Sequence, residues 1–475
     1  MALRRALGLA LGIALLTAAA ASAQPLTQTF RSAPSLRAPI LSFSGSVPDV
    51  SAGDIFVDAQ NSLQAGPMII SPHGQLIWFD PLPNDGVARN VEVQRYRGRS
   101  VLTFWQGFGH AFGVGHDVLL DHSYQMITTV QGANGYTADT HAFQITPQGT
   151  ALIAAYAAVP ADLSSVGGPR KGTLVNGAVQ EIDIATGALR WQWSTRDHIP
   201  LSASYAGRPG RGAYDAYHLN SVQQLANGNV LVSVRNTWAL YELDKQTGRI
   251  VWTLGGKHST FRLGPGAGFE WQHDGAMLPD GTITVFDDGA ALTPHGLIKD
   301  EPQSRGLRIH LDLEARTATL LRAYTNSPPL LSQSQGSVQA LSDGNTFVGW
   351  GSQPYFTEFG RDGSQLFSIH FPTPLQSYRA FRYPWWGQPP VRPAIAVART
   401  RSGTRVYASW NGTTGIASWR VLAAPSATAP GSAVGQFKRT SFETSMWVPS
   451  TQPFVAVQAL GGDGHVLGTS AAVAR

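Results

Sequence analysis

The sequence predicts an all-β protein: a six-bladed β-propeller followed by a small β-sandwich. Three observations carry that expectation. Charged residues make up only 14% of the 475 residues, against 51 glycines and 30 prolines, the profile of a turn-rich β chain with a large core. A pattern of two consecutive hairpins recurs along the chain, and two hairpins make the four strands of one propeller blade. Past "YPWWGQPPVRP" the pattern gives way to short, evenly spaced strands, the spacing of a sandwich.

Taken in order, the chain opens with Arg4 and Arg5, an apolar run from Ala6 to Leu16 and the small residues Ala21-Ser22-Ala23. This is the pattern of a signal peptide over residues 1–23, cleaved before Gln24, and it predicts an exported protein. No other window reaches the roughly 20 apolar residues of a membrane span. The propeller is expected over 24–388. Its first hairpins turn at Gln148-Gly149, Asn227-Gly228, Asp280-Gly281 and Asp343-Gly344, its second at Thr186-Gly187, Thr247-Gly248 and Asp362-Gly363. Asx-Gly and Gly-containing turns between apolar runs are the strongest short-range hairpin signal. Four units stand out, over 139–195, 218–256, 273–325 and 337–372. Two less regular ones lie around "IFVDAQNSLQAGPMIISPHGQLIWFDPL" and "VEVQRYRGRSVLTFWQGFGHAF". Trp191, Trp252 and Phe367 follow the second turns and are expected between blades. Segments 196–217 and 287–305 are long for hairpin loops and are expected to cover a face of the propeller. Pro389, Pro390 and Pro393 mark a linker, and 392–475 read as the sandwich.

Composition also excludes functions. With no cysteine, the chain has neither disulfides nor thiolate chemistry. The net charge of +5 is scattered. Its densest group, Arg95, Arg97 and Arg99, alternates along a strand as a solvated face, and no basic cluster with interleaved aromatics suggests nucleic acid.

The inner strand of each blade runs along a central channel, so residues at its head can share an axial site. His141 stands eight residues before Gly149, His218 ten before Gly228 and His273 eight before Gly281. The fourth clear unit has Ser337 in that region. One such histidine is well explained by an inter-blade hydrogen bond. Three at matched offsets would repel on protonation and point instead to a shared site. Asn220 follows His218, and Arg235 ends the paired strand, where burial is costly unless it meets an anion. Three histidines also suit a zinc ion, but the Asn and Arg suit an oxyanion better, as a neutral donor and a planar donor fork.

"DTHAF", "HLNSVQQLANGNVLVSVRN", "WQHDGAMLPDGTITVFDDGA" and the opening "TFRSAPSLRAP" together resemble the arylsulfotransferase family, in its six-bladed branch, over about residues 27–385. The resemblance implies transfer of a sulfuryl group from an aryl sulfate donor to a phenolic acceptor, without a cofactor or nucleotide sulfate, by a ping-pong route through a sulfohistidine. Carried over, His273 matches the histidine that becomes sulfurylated, and His141, His218, Asn220 and Arg235 match its helpers. Asp274 or Asp215 can orient an imidazole, and Trp105, Tyr217 and Trp271 can stack on an aryl group or simply pack. The C-terminal strands, with Val406 and Trp410, resemble a fibronectin type III domain. Two other readings remain open at this point: a metal-dependent propeller hydrolase, and an exported binding propeller without catalysis.

Overall fold

A computed structural model of the chain describes residues 26–46, 53–84, 86–109, 112–293, 296–429 and 431–475. The expected signal peptide lies outside the described residues. Of these, the segment from Ser42 to Tyr383 builds six blades. Blade 2 comprises Val87–Tyr96, Arg99–Phe108, Val114–Leu120 and Met126–Val130. Blade 3 comprises Thr137–Ile145, Thr150–Ala161, Gly172–Asp183 and Leu189–Ser194. Blade 4 is Leu219–Gln224, Val230–Val234, Ala239–Leu243 and Ile250–Gly255. Blade 5 is built on His273–Met277, Ile283–Asp287, Arg305–Asp312 and Thr317–Tyr324. Blade 6 is built on Ser337–Ala340, Thr346–Gly349, Tyr355–Phe359 and Gln365–His370.

The ring closes through both ends of this segment. Blade 1 has Asp54–Ala59, Gly66–Ile70 and Leu76–Phe79 from the N-terminal side, but its inner strand is Ala380–Tyr383. In return, Ser42–Gly45 adds an outer strand to blade 6. Pairing of chain-end strands at both places ties the ring shut and leaves each blade only a short outer edge. Each inner strand touches those of its two neighbours around the ring.

Repeated side chains hold the blades together. A glutamine on the inner strand grips the backbone of the next blade's inner strand: Gln94 binds Phe143 O and Ile145 N, Gln223 binds Met277 O and N, and Gln339 binds Arg382 O and N. Within blades, a third-strand glutamate sits opposite the aromatic of the fourth strand, as Glu181–Trp191, Glu242–Trp252 and Glu358–Phe367. The carboxylate accepts hydrogen bonds from the first-hairpin turn of its own blade: Thr150, then Asn227 and Asn229, then Asn345. Trp252 and Phe367 are sealed from solvent, whereas Trp191 is half-buried and Trp193 takes the sealed place. Arg95, Arg97 and Arg99 are exposed.

The C-terminal strands form two sheets. One runs Ala394–Arg399, Thr404–Ser409, Glu443–Val448, and the other Ser432–Lys438, Ser418–Ala424, Phe454–Leu460, Val466–Thr469. Val406, Trp419, Val421, Met446 and Val457 fill the space between them. This sandwich docks on blades 1 and 2. Asn411 exchanges two hydrogen bonds with the Phe79 backbone (2.9 and 3.0 Å), and Tyr124 donates to Gly412 O (2.7 Å).

Candidate active site

Four inner strands break register near the channel mouth: between Arg89 and Glu92, Ala138 and Phe143, Leu219 and Ser221, and His273 and Ala276. A bulge at such a place re-aims side chains off the pleat. Here it turns Arg89, His141, His218 and His273 from four successive blades toward one cavity of about 400 Å³, which Tyr378 of blade 1 and Gln335 of blade 6 complete. His218 (φ 58°) and Gln335 (φ 72°) lie in the left-handed region, a conformation costing on the order of 1–3 kcal/mol that persists only where the surroundings impose it. For His218 the constraint is main-chain: its carbonyl accepts from Arg235 N at 2.9 Å.

Each of the three cavity histidines is oriented by a carboxylate at Nδ1. His273 pairs with Asp288 at 2.7 Å, His218 with Asp215 at 2.6 Å, and His141 with Asp139. The Nε2 atoms of His218 and His141 face each other at 3.2 Å, so the pair can hold a proton between them. The Gln335 N–H donates to His273 Nε2 at 3.2 Å, which requires a lone pair on that nitrogen and places the ring proton on Nδ1, toward Asp288. His273 is 1% exposed. Burial first, then Arg235 and the two other histidines, hold its pKa well below the ordinary value. Burial also lowers His218, against the pull of Asp215. A neutral His273 with a carboxylate behind it is an oriented nucleophile once the Gln335 N–H gives up the Nε2 lone pair.

Arg235 is the cation of this cavity that has no ion-pair partner among the described residues. Its Nη1 donates to Asn236 Oδ1 (3.0 Å) and Nη2 to Gln333 O (3.1 Å), while the buried Nε has no partner among the described residues. The guanidinium lies 5.1 Å over the Trp271 ring. Burial lowers its pKa, opposed mainly by Asp288 and Asp215. Arg89 also lines the cavity, 3.7 Å from Asp58. An arginine buried without a contacting carboxylate is costly unless an anion arrives.

The structure therefore brings together His141, His218, His273 and Arg235, as their spacing suggested. Asn220 is placed differently. It is not among the residues lining the cavity; its Nδ2 donates to Gln272 O at 2.7 Å. Ser337 does the same job between blades 6 and 1 by bonding Ala380 O. Asn220 thus clamps the segment leading into His273 instead of offering a donor to an anion. Asp215 orients His218 as envisaged, but Asp274 does not orient an imidazole: it meets Arg379 (3.4 Å) and Val338 N. Trp105, Tyr217 and Trp271 pack; their polar atoms bind Ala138 O, Ile199 O and Asp300, and none lines the cavity. The aromatics beside the histidines are Tyr378, Tyr156, 6.2 Å from His141, and Phe112, whose ring is edge-on to His218 at 5.7 Å.

Sequence reasoning missed Asp288, Asp139, Arg89, Gln335 and Tyr378. Two signals were available: Asp139 precedes His141 by two residues, and Asp288 ends the acidic stretch just past the His273 hairpin. Nothing local marked Tyr378, which reaches the axis only because the last propeller strand returns to blade 1. Among the described residues no group of three or more His, Cys, Asp or Glu has metal-binding geometry.

A profile of the arylsulfotransferase (ASST) family matches residues 92–372, which span blade 2 through blade 6 and include the three histidines and Arg235. The chain belongs to the arylsulfotransferase family. Membership makes it, at family level, a sulfotransferase-type enzyme. No curated protein matches it. Solved structures similar to this family member include a protein of unknown function from Bacteroides caccae (12% identity, 70% of this chain and 99% of that one, TM-score 0.43). Virginiamycin B lyase from Staphylococcus aureus is another (9%, 77% and 94%, TM-score 0.32). A third is the β-propeller domain of Cps50 (Swd1) from Myceliophteria thermophila (11%, 69% and 97%, TM-score 0.33).

Proposed function

We propose that this arylsulfotransferase-family protein moves a sulfuryl group from an aryl sulfate to a phenolic acceptor in two steps, through a sulfohistidine at His273 and without a nucleotide sulfate. The observation that carries this reading is the pairing of His273 Nδ1 with Asp288, which keeps a lone pair on Nε2, where the Gln335 N–H now sits, on the wall of a cavity shared with Arg235. In the first step the Gln335 N–H releases Nε2, which forms a bond to sulfur as the bond from sulfur to the aryl oxygen breaks. Asp288 offsets the positive charge gained by the ring, and Arg235 faces the sulfuryl oxygens. The His141–His218 pair, holding a proton between its Nε2 atoms, can give it to the departing phenolate. In the second step the same pair takes the acceptor's proton as the acceptor oxygen attacks sulfur and His273 leaves.

Intact-mass spectrometry after brief mixing with 4-nitrophenyl sulfate, at neutral to mildly basic pH where N-sulfohistidine survives, tests the reading. One added sulfuryl group with released nitrophenol, both absent in His273→Asn, is the expected result. No adduct and no phenol over several aryl sulfates would sink it. Two further parts of the reading rest on sequence pattern: export through the leader at residues 1–23, and a fibronectin type III-like identity for the C-terminal sandwich. N-terminal sequencing of the secreted protein, starting at Gln24, checks the first. The sheet pairing supports the second as a sandwich, three strands facing a sheet of five whose last member is Val473–Ala474.

A further inference from the structure

Two residues of the axial ring, Arg89 and Tyr378, are not used by the two-step scheme, and Arg89 already has Asp58 beside it. Tyr378 stands two residues ahead of the inner strand Ala380–Tyr383 of blade 1, at the place where blades 4 and 5 carry His218 and His273. Its main chain is pinned from two sides: the N–H donates to Asp58 (3.1 Å) and the carbonyl accepts from Gly336 N of the segment leading into blade 6 (2.9 Å). Its ring lies edge-on to His141 at 5.7 Å and to His273 at 6.4 Å, and the Arg379 guanidinium sits 5.1 Å from its centroid. The side chain is thus fixed against the nucleophile and its neighbour.

The hydroxyl is a different matter. Tyr378 is 3% exposed and lines the cavity, yet its Oη has no hydrogen-bond partner among the described residues. Buried tyrosine hydroxyls ordinarily find a partner, and one left unmade costs on the order of 1–3 kcal/mol. Phenylalanine would fill the same ring volume without that cost. Burial, reinforced by the Asp139, Asp274 and Asp288 carboxylates against the pull of Arg379, raises the phenol so that it keeps its proton at any working pH.

We propose that Tyr378 is a catalytic residue of the sulfuryl transfer, its Oη–H donating a hydrogen bond to a non-bridging sulfuryl oxygen from the wall of the cavity it shares with Arg235. The two donors come from different blades, 1 and 4, to the wall of one cavity. No proton moves to or from Tyr378: the nitrogen–sulfur bond forms, the sulfur–oxygen bond breaks, and the hydroxyl stabilises the charge on the oxygens as sulfur passes between them. This assignment rests on the sulfuryl-transfer reading.

The test is Tyr378→Phe, followed by pre-steady-state phenol release and adduct mass with phenyl sulfates of graded leaving-group pKa, beside thermal unfolding. The expected result is adduct formation slowed by about 10- to 100-fold, as for loss of one preorganised donor. That loss should be equal across the leaving groups, with Tm unchanged or raised because the hydroxyl has no protein partner. Wild-type protein that forms the adduct with Tyr378→Phe keeping pace overturns this inference alone. A loss that grows with leaving-group pKa also overturns it, since the hydroxyl would then serve the bridging oxygen. A slowed variant whose Tm falls by several degrees overturns it in favour of a structural role. Wild-type protein that never forms the adduct removes the sulfuryl-transfer reading, and this inference with it.

Discussion

Replacing Asp288 by Asn tests the orientation of His273 with the smallest change of shape. The carboxylate Oδ2 accepts from Nδ1 at 2.7 Å, while the buried Oδ1 has no partner. An amide can answer this site in two ways. Presenting Nδ2 to the ring forces the proton onto Nε2, where it meets the Gln335 N–H now donating at 3.2 Å. Presenting Oδ1 keeps the ring tautomer but leaves an amide N–H₂ where the unpartnered oxygen stood, on the side that feels Arg235. Either way a buried polar group is left unsatisfied, costing about 1–2 kcal/mol. In both, the negative charge that offsets the sulfo-imidazolium is gone, and a buried charge-assisted bond contributes about 2–3 kcal/mol. The sum, about 3–5 kcal/mol, corresponds to a loss of roughly 10²–10⁴ in the rate of adduct formation. Stopped-flow nitrophenol release, with adduct mass to count active sites, reads this directly. A variant within ten-fold of wild type refutes the orienting role.

Three other outcomes follow from the same geometry. Arg235→Lys keeps the charge but loses the planar fork held by Asn236 and Gln333, so kcat/KM for 4-nitrophenyl sulfate should fall by roughly 10²-fold; activity near wild type would remove Arg235 from the sulfuryl group. Asn220→Ala removes an inter-blade clamp, which should appear as a loss of about 1–2 kcal/mol in denaturant unfolding; a loss of substrate binding with stability unchanged would restore Asn220 as an anion donor. Glu92, in the channel beneath the site, is raised by burial to about 8. Because its folded pKa exceeds its unfolded one, its contribution to stability is full below about pH 4.5 and is lost as pH rises through 8. Glu92→Gln should therefore flatten the decline of Tm between pH 7 and 9, a window above the values of about 6 for Asp54 and Asp58 and about 7 for Glu270; an unchanged decline would assign it to another group.

The chain's local chemistry determined the architecture. Gly-containing turns at fixed offsets mark hairpins, paired hairpins mark blades, and an apolar strand between two turns has few other ways to bury both faces. The histidines were legible for the same reason: repeats translate equal sequence offsets into equal positions on the axis, so His141, His218 and His273 converge without any contact being known. Arg235 followed because a strand end beside an inner-strand histidine is also a local relation.

What only the tertiary structure decided is how side chains from different blades divide the work. Asn220 and His218 lie two residues apart, yet one faces the cavity and the other the next blade, because a bulge and a left-handed residue reset the alternation that a regular strand would keep. Asp288 orients His273 across a hairpin, and Tyr378 arrives from the far end of the propeller, more than 100 residues after the nucleophile, because the last strand closes the first blade. Periodicity reports which residues share a face; it carries no information on which hydrogen bond a buried amide will make, since that depends on the one acceptor that packing leaves within reach.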